Sequence, residues 1–107
     1  MNYQEITLPP AMREKMVKIE ENGIKGRAYI GDEKESMAEM SYSITKMNEI
    51  IIEHTEVDES LRGQGVGFKL LEALIEMARG KDLKVIPLCP YVKTIFDKQP
   101  DLQDILA

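Results

Sequence analysis

The sequence contains one cysteine, one histidine and no tryptophan among its 107 residues. A lone cysteine, Cys89, excludes an internal disulfide, and one Cys with one His falls short of the ligand set of a structural zinc site. No apolar run approaches the roughly 18 residues that a membrane helix needs, and the first residues lack the pattern of a secretory signal. We therefore expect a cytoplasmic protein with no bound metal.

An excess of positive charge is also absent. The chain has 14 Lys and Arg against 19 Asp and Glu, which gives a formal net charge of -5. Nonspecific nucleic-acid binding relies on clustered Lys and Arg that neutralise phosphates. We therefore expect neither a nucleic-acid partner nor a membrane partner, and any anionic ligand must be attracted locally.

The composition is typical of one globular domain over residues 1–107, with 43% hydrophobic and 31% charged residues. Residues 1–15 show no regular pattern and contain Pro9-Pro10, so we expect a loosely packed N-terminal extension there.

Alternating polar and apolar residues predict antiparallel strands in the first half of the chain. The segments 17–20 and 24–30 flank Asn22-Gly23, which is a strong hairpin signal. Residues 38–44 alternate in the same way. A longer strand over residues 50–57 starts with three isoleucines, as expected for a strand at the centre of a sheet.

The second half predicts helices around one further strand. Apolar residues at helical spacing predict a helix from Val66 that stops at Gly80. A strand over residues 84–88 follows, and a right-handed crossover makes it parallel to the preceding strand. A shorter helix is expected to start after Pro90 and to stop before Gln99-Pro100. The predicted class is α+β, a mostly antiparallel mixed sheet with a central crossover helix and a short C-terminal helix.

Three glycines stand where the central strand gives way to the long helix, in Arg62-Gly63-Gln64-Gly65-Val66-Gly67. The first N–H groups of a helix lack intrahelical partners and favour phosphate, and glycines let such a ligand come close. The same glycines also suit a tight strand-to-helix turn without a ligand. A dinucleotide site or a nucleoside triphosphate loop fits poorly, because strand-helix repeats are missing and Phe68-Lys69 follows the last glycine.

This hexapeptide resembles the Arg/Gln-x-x-Gly-x-Gly/Ala acyl-coenzyme A signature of the GNAT acetyltransferase superfamily. Residues 54–57 and 87–92 are similar to a small, truncated branch of it. The resemblance implies a GNAT-like fold, acetyl-CoA as cosubstrate and an amine as acceptor. It also implies that the strand ending at Val57 and the parallel strand ending at Leu88 splay apart, with the thioester in the wedge between them. The residues expected to bind the cofactor are Glu56, Val57, Arg62, Gly63, Gln64, Gly65, Val66 and Gly67.

Three side chains are candidates for catalysis, each with a simpler structural explanation. Cys89 has the chemistry to attack the thioester if its pKa is lowered, or it packs as a small hydrophobe. His54 shares strand parity with Ile50 and Ile52, so it is either an inward-facing base or a structural histidine. Tyr91 either protonates the coenzyme A thiolate, as a tyrosine near this point does in many GNAT enzymes, or packs as an aromatic side chain.

Basic side chains near the helix starts are candidates for phosphate contacts. Arg62, Lys69 and Lys93 are long enough to reach a bound pyrophosphate. Surface solvation is the simpler explanation for the two lysines, because charged residues usually occupy exposed faces.

The chain also departs from the superfamily pattern. Typical GNAT enzymes build much of the acceptor pocket from two helices between their first two strands, and no helix fits between Glu20 and Ile30. Asp58 stands where proline is frequent, and Gln99 stands where this branch often has histidine. The sequence leaves three functions open: an acetyltransferase acting on an unidentified amine, a noncatalytic coenzyme A sensor or subunit, and a structural interaction domain. A partner subunit or a second copy could replace the missing helices.

Overall fold

The structure is a computed structural model that describes residues 16–32 and 34–107. The extension expected over residues 1–15 lies outside this part of the chain. The described elements, in chain order, are β1 (Lys18–Asn22), β2 (Lys25–Gly31), β3 (Ser36–Ile44), β4 (Glu49–Val57), a 3-10 helix (Glu59–Leu61), α1 (Val66–Gly80), β5 (Lys84–Pro87), α2 (Pro90–Lys98) and a second 3-10 helix (Pro100–Ile105).

The strands form one sheet in the order β1-β2-β3-β4-β5. The first four strands pair antiparallel, and β5 pairs parallel to β4. The antiparallel pairs follow the sequence directly because short turns join them, whereas the parallel pair requires the crossover through α1. The predicted α+β class, with its mostly antiparallel sheet and central crossover helix, is confirmed.

The core lies between one face of the sheet and α1. Alternate residues of β2 and β3 are buried on this inner face, as the alternation predicts, and they are Ala28, Ile30, Ala38, Met40 and Tyr42. The buried side of α1 packs onto strands β2 to β5, and it consists of Val66, Leu70, Leu71, Leu74, Ile75 and Ala78. Each fully buried Leu or Ile contributes about 1.5–3 kcal/mol. This packing fixes the N-terminus of α1 against the sheet.

The helices show no membrane-spanning character. No helix in the described part of the chain is both long enough and apolar enough to cross a lipid bilayer.

A β-bulge in β4 changes which side chains face the core. Tyr42 pairs with Ile52, but the next residue back in β3, Ser41, pairs with His54, so Glu53 is an extra residue in β4. A one-residue slip exchanges the two faces of a strand. The prediction that His54 points inward with Ile50 and Ile52 is therefore wrong, because the bulge places its side chain on the outer face.

The close packing at Gly26 gives a first prediction. A Cβ at this position would lie 2.4 Å from both Cζ and Oη of Tyr42 and 2.8 Å from the Glu20 carbonyl oxygen. The Tyr42 side chain is only 1% exposed, so it has little room to move. We expect Gly26→Ala to lower the free energy of unfolding by about 1–3 kcal/mol, measured by urea denaturation.

Gly80→Ala is the matched control for this prediction. Gly80 ends α1, and a Cβ there would meet no atom within 4 Å. We expect this substitution to raise the free energy of unfolding by up to about 1 kcal/mol, because alanine favours the helix. Equal stability of the two variants would contradict the proposed crowding at Gly26.

Candidate functional site

The turn after β4 is stabilised by its own polar groups. The Asp58 carboxylate accepts hydrogen bonds from the Ser60 hydroxyl and from the Ser60 N–H (3.0 Å). These hydrogen bonds hold the pKa of Asp58 below its usual value. The Asp58 N–H donates to the Met37 carbonyl at 2.7 Å, a hydrogen bond that proline cannot make. Asp58 therefore caps the first 3-10 helix, which leads into the glycine segment.

Two of the three glycines are required by their backbone conformation. Gly63 and Gly65 have φ values of 80° and 71°, where other residues are strained. A Cβ at either position would meet no atom within 4 Å, so crowding is not the reason for glycine here. Gly65 is the N-cap residue of α1 and has no side chain to cap the helix. The first N–H groups of α1 therefore stay uncovered.

The backbone N–H groups from Gly63 to Phe68 donate no hydrogen bond to any group within residues 16–32 and 34–107. The Arg62 N–H donates to the Glu59 carbonyl at 3.3 Å, and the Lys69 N–H donates to the Gly65 carbonyl at 3.1 Å. The first turn of α1 contains no acidic residue. The segment therefore presents a run of free donors at the positive end of a helix dipole, an arrangement that suits an anion.

Four of the residues that carry these donors, Gly63, Gly65, Val66 and Gly67, line a cavity of about 460 Å³. Its volume is in the range of about 300–1,000 Å³ that is usual for small-molecule sites. The cavity joins the end of β4, the glycine segment and the start of α2, and it is lined by Thr55, Val57, Arg62, Gly63, Gly65, Val66, Gly67 and Tyr91.

The third glycine, Gly67, allows Tyr91 to approach α1. A Cβ at Gly67 would lie 2.7 Å from the Tyr91 hydroxyl oxygen and 2.9 Å from two of its ring carbons. Tyr91 lies in the first turn of α2 and is 43% exposed. Desolvation, with a smaller contribution from Cys89, raises the pKa of Tyr91 above its ordinary value. Its hydroxyl is therefore protonated at neutral pH and can donate a proton.

The strands β4 and β5 separate beyond Ile52, as the sequence resemblance implies. The last parallel pair is Ile52 with Pro87. The Ile52 carbonyl accepts hydrogen bonds from the N–H groups of Leu88 (3.1 Å) and Cys89 (3.0 Å), and α2 begins at the next residue. Because β4 continues to Val57, a wedge opens between its last residues and the start of α2.

Thr55 and Cys89 meet across this wedge. Thr55 Oγ1 lies 3.3 Å from Cys89 Sγ, and either group can be the donor. Thr55 lines the cavity, whereas Cys89 is only 5% exposed and is not among the lining residues. Thr55 was not predicted from the sequence. One signal was available, since the consecutive polar residues Glu53 and His54 interrupt the alternation of the strand.

The other predicted site residues lie away from the cavity lining. His54 Nε2 is 3.6 Å from Glu56 Oε1, and both side chains are well exposed, at 65% and 70%. The Gln64 side-chain amide donates to the Ser60 carbonyl at 3.2 Å, so only its backbone takes part in the run of free donors. Lys93 lies exposed in α2. The structure thus brings together Tyr91, Val57 and the glycine segment, and leaves His54, Glu56 and Lys93 outside the lining.

Comparison with known families shows which family the chain belongs to. A family model described as GCN5-related N-acetyl-transferase matches residues 27–105, which include the glycine segment and both helices. The chain belongs to the GCN5-related N-acetyltransferase (GNAT) family. The superfamily resemblance seen in the glycine segment is confirmed.

One solved structure supports the GNAT assignment, and a second match is partial. The NMR solution structure of a GCN5-like protein from Staphylococcus aureus is 42% identical, with 84% of this chain and 87% of that chain covered and a TM-score of 0.66. The crystal structure of a nourseothricin acetyltransferase is 28% identical, with a TM-score of 0.44, and the match covers 57% of this chain and 36% of that chain. No curated protein sequence gives a significant match. The S. aureus structure confirms the predicted GNAT-like fold.

The expected departure from typical GNAT enzymes is present. The β1 and β2 strands are joined through Gly23 and Ile24 alone, so no helices intervene between them. This part of the chain therefore supplies none of the acceptor pocket that such helices build in typical GNAT enzymes.

Proposed function

We propose that this GNAT protein binds acetyl-CoA and transfers the acetyl group to the nitrogen of an amine. One observation carries the proposal: Gly63, Gly65, Val66 and Gly67, whose N–H groups donate to nothing in the described part of the chain, line a cavity that Tyr91 also lines. A diphosphate can accept hydrogen bonds from several of these donors. Each such charge-assisted hydrogen bond contributes about 1.5–3 kcal/mol to binding. Family membership supports acetyl-CoA as the ligand.

The proposed binding mode follows the shape of the cavity. The pyrophosphate lies on the N–H groups of the glycine segment, and Arg62 at the cavity wall adds positive charge. The pantetheine arm runs past Val57 at the end of β4. The acetyl thioester then reaches the wedge between Thr55 and Tyr91, where the two strands have separated.

The proposed reaction is direct transfer within this wedge. A neutral amine attacks the thioester carbonyl, the tetrahedral intermediate collapses, and the departing thiolate takes a proton from Tyr91. The raised pKa of Tyr91 keeps it in the acid form that this step needs. The buried Cys89 lies behind Thr55 and is not positioned as a nucleophile in this route.

His54 provides a testable contrast with Tyr91. Because its side chain lies on the outer face and is 65% exposed, we expect no role in deprotonating an amine in the cavity. His54→Gln should change kcat/KM by less than about twofold at neutral pH. A loss of kcat/KM of about tenfold or more in this variant would contradict this expectation and would support His54 as the general base.

A noncatalytic coenzyme A sensor is the second candidate function. The direct β1–β2 turn favours it, since no helix lies between these two described strands, where typical GNAT enzymes have the helices that build the acceptor pocket. A second copy or a partner subunit supplying that pocket would reconcile the turn with catalysis. The oligomeric state with and without acetyl-CoA, measured by light scattering, tests this arrangement.

Two measurements separate the candidate functions. Calorimetry with acetyl-CoA tests binding, and a failure to bind at millimolar ligand would leave only a structural role for the glycines. The release of free thiol from acetyl-CoA, in the presence of a panel of amines, peptides and polyamines, tests turnover. Binding without thiol release above a no-protein control would favour the sensor.

A further inference from the structure

We infer that Thr55 is a catalytic residue whose hydroxyl donates a hydrogen bond to the thioester carbonyl, and that the Cys89 thiol is the positioning group that orients this hydroxyl. The inference rests on the proposed function, because it requires an acetyl thioester in the cavity. It assigns a role to the contact of 3.3 Å between Thr55 Oγ1 and Cys89 Sγ.

The bulge in β4 places Thr55 at the cavity. Thr55 pairs with Met40, a fully buried residue of the inner face, because the register has shifted by one residue at Glu53. Without the shift, Thr55 would face outward and His54 inward. Thr55 also stands beyond the last β4–β5 pair, where the strands have separated. Its side chain is thus both inward-facing and open to the cavity.

The chemistry of the two groups decides which one donates. A threonine hydroxyl has a single hydrogen and two acceptor lone pairs, and a thiol is a weak donor and a weak acceptor. If the thiol donates to Thr55 Oγ1, the hydroxyl hydrogen stays available for the cavity. Cys89 is 5% exposed, so its S–H is screened from water, and Thr55 is its side-chain partner. A carbonyl oxygen in the cavity therefore favours the chain of hydrogen bonds from Cys89 to Thr55 to the ligand.

This hydrogen bond strengthens during the reaction. As the amine nitrogen bonds to the carbonyl carbon, the C=O π electrons move onto the oxygen, and the Thr55 hydroxyl stabilises that charge without giving up its proton. The C–S bond then breaks, the thiolate accepts the Tyr91 proton, and the amine proton is lost to solvent, from which Tyr91 is reprotonated. Removing one such donor from an enzyme typically lowers kcat by about 10²–10³.

The test compares Thr55→Val, which removes the hydroxyl at nearly constant shape, with Thr55→Ser, which keeps it. Calorimetry gives the Kd for acetyl-CoA, and infrared spectroscopy with a ¹³C-labelled acetyl carbonyl gives the C=O stretch of the bound thioester. We expect a lower stretching frequency in the wild type and in Thr55→Ser than in Thr55→Val, with Kd values within about threefold. We expect kcat to fall about a hundredfold in Thr55→Val and to be largely restored in Thr55→Ser.

Each outcome gives a decision. If all three proteins bind acetyl-CoA with the same C=O frequency, the role of Thr55 is overturned and the proposed binding function stands. If the wild type binds no acetyl-CoA, the proposed function fails and this inference fails with it. A bound wild type that shows the frequency shift but no turnover supports the Thr55 contact and assigns the protein to the sensor class. Should Thr55→Val not fold, Thr55→Ala compared with Thr55→Ser carries the same test.

Variants of Cys89 distinguish positioning from nucleophilic attack. A serine at position 89 still donates a hydrogen bond, so we expect Cys89→Ser to keep kcat within about threefold and the C=O shift intact, whereas Cys89→Ala loses about tenfold in kcat and part of the shift. If Cys89 is instead a nucleophile, Cys89→Ser should lose nearly all activity. The wild-type protein exposed to acetyl-CoA should then also carry an added acetyl group, detected by mass spectrometry of the intact protein. That result would overturn the positioning role.

Discussion

Replacing Gly65 with aspartate is expected to weaken acetyl-CoA binding about thirtyfold while leaving α1 in place. Gly65 has φ 71°, a conformation that Asp and Asn tolerate better than other residues with side chains, and a Cβ there meets no atom within 4 Å. The new carboxylate would stand beside the free N–H groups where we place the pyrophosphate. Two charges 4 Å apart repel by about 4 kcal/mol at an effective dielectric constant near 20, and solvent screening leaves about half of that.

Asparagine at the same position is the matched control. Gly65→Asn adds nearly the same volume and the same backbone strain, but no charge, so we expect binding within about tenfold of the wild type. Calorimetry at low and high salt should show that the Kd values of the two variants for acetyl-CoA become more similar as the salt concentration rises. Similar Kd values for the Asp and Asn variants at low salt would count against a phosphate site on these N–H groups.

The fold could be predicted because its elements follow simple periodicities. The alternation over residues 38–44 predicts β3, and the helical spacing of apolar residues after Val66 predicts α1; both elements are present near those bounds. The turn at Asn22-Gly23 and the crossover rule then determine which neighbours pair and in which direction. These signals are local in the sequence, so they do not depend on knowing the tertiary structure.

The site was less predictable because it depends on one extra residue in a strand. Simple alternation from Ile50 and Ile52 predicts that His54 faces the core. The bulge at Glu53 instead exchanges the two faces of the strand and brings Thr55 and Val57 to the cavity. A bulge forms when pairing with the neighbouring strand accommodates a slip, so sequence alternation alone does not locate it. The contact between Thr55 and Cys89 depends on this slip and on the separation of β4 from β5.

The glycine segment combined two different physical requirements that the sequence could not separate. Gly63 and Gly65 are needed for positive φ, which turn chemistry anticipates. Gly67 has no such conformation and is needed because the Tyr91 ring lies against it. That second requirement comes from a residue on another helix, so it became visible only in the folded chain.

Replacing Tyr91 with phenylalanine is expected to lower kcat by about 10²-fold with little change in KM for acetyl-CoA, because the ring is kept and only the proton donor is lost. Desolvation raises the pKa of Tyr91, so the protonated donor persists to higher pH, and wild-type kcat should begin to fall only at a pH above the range in which an ordinary tyrosine loses its proton. The variant should lack this alkaline limb. Initial rates of thiol release across alkaline pH, up to the onset of unfolding, provide the measurement.

Tyr42→Phe is the matched control for Tyr91, because it also removes one phenolic hydroxyl but does so away from the cavity. The Tyr42 hydroxyl donates to Glu21 at 2.6 Å, and the residue is not among the cavity lining. Its loss should lower the free energy of unfolding by about 1 kcal/mol and leave kcat and the alkaline limb unchanged. If both variants lose kcat to the same extent, the loss reflects lower protein stability, and Tyr91 is not the general acid. If Tyr91→Phe alone keeps the full kcat, the thiolate leaves without a proton from Tyr91, and the donor is solvent in the open wedge.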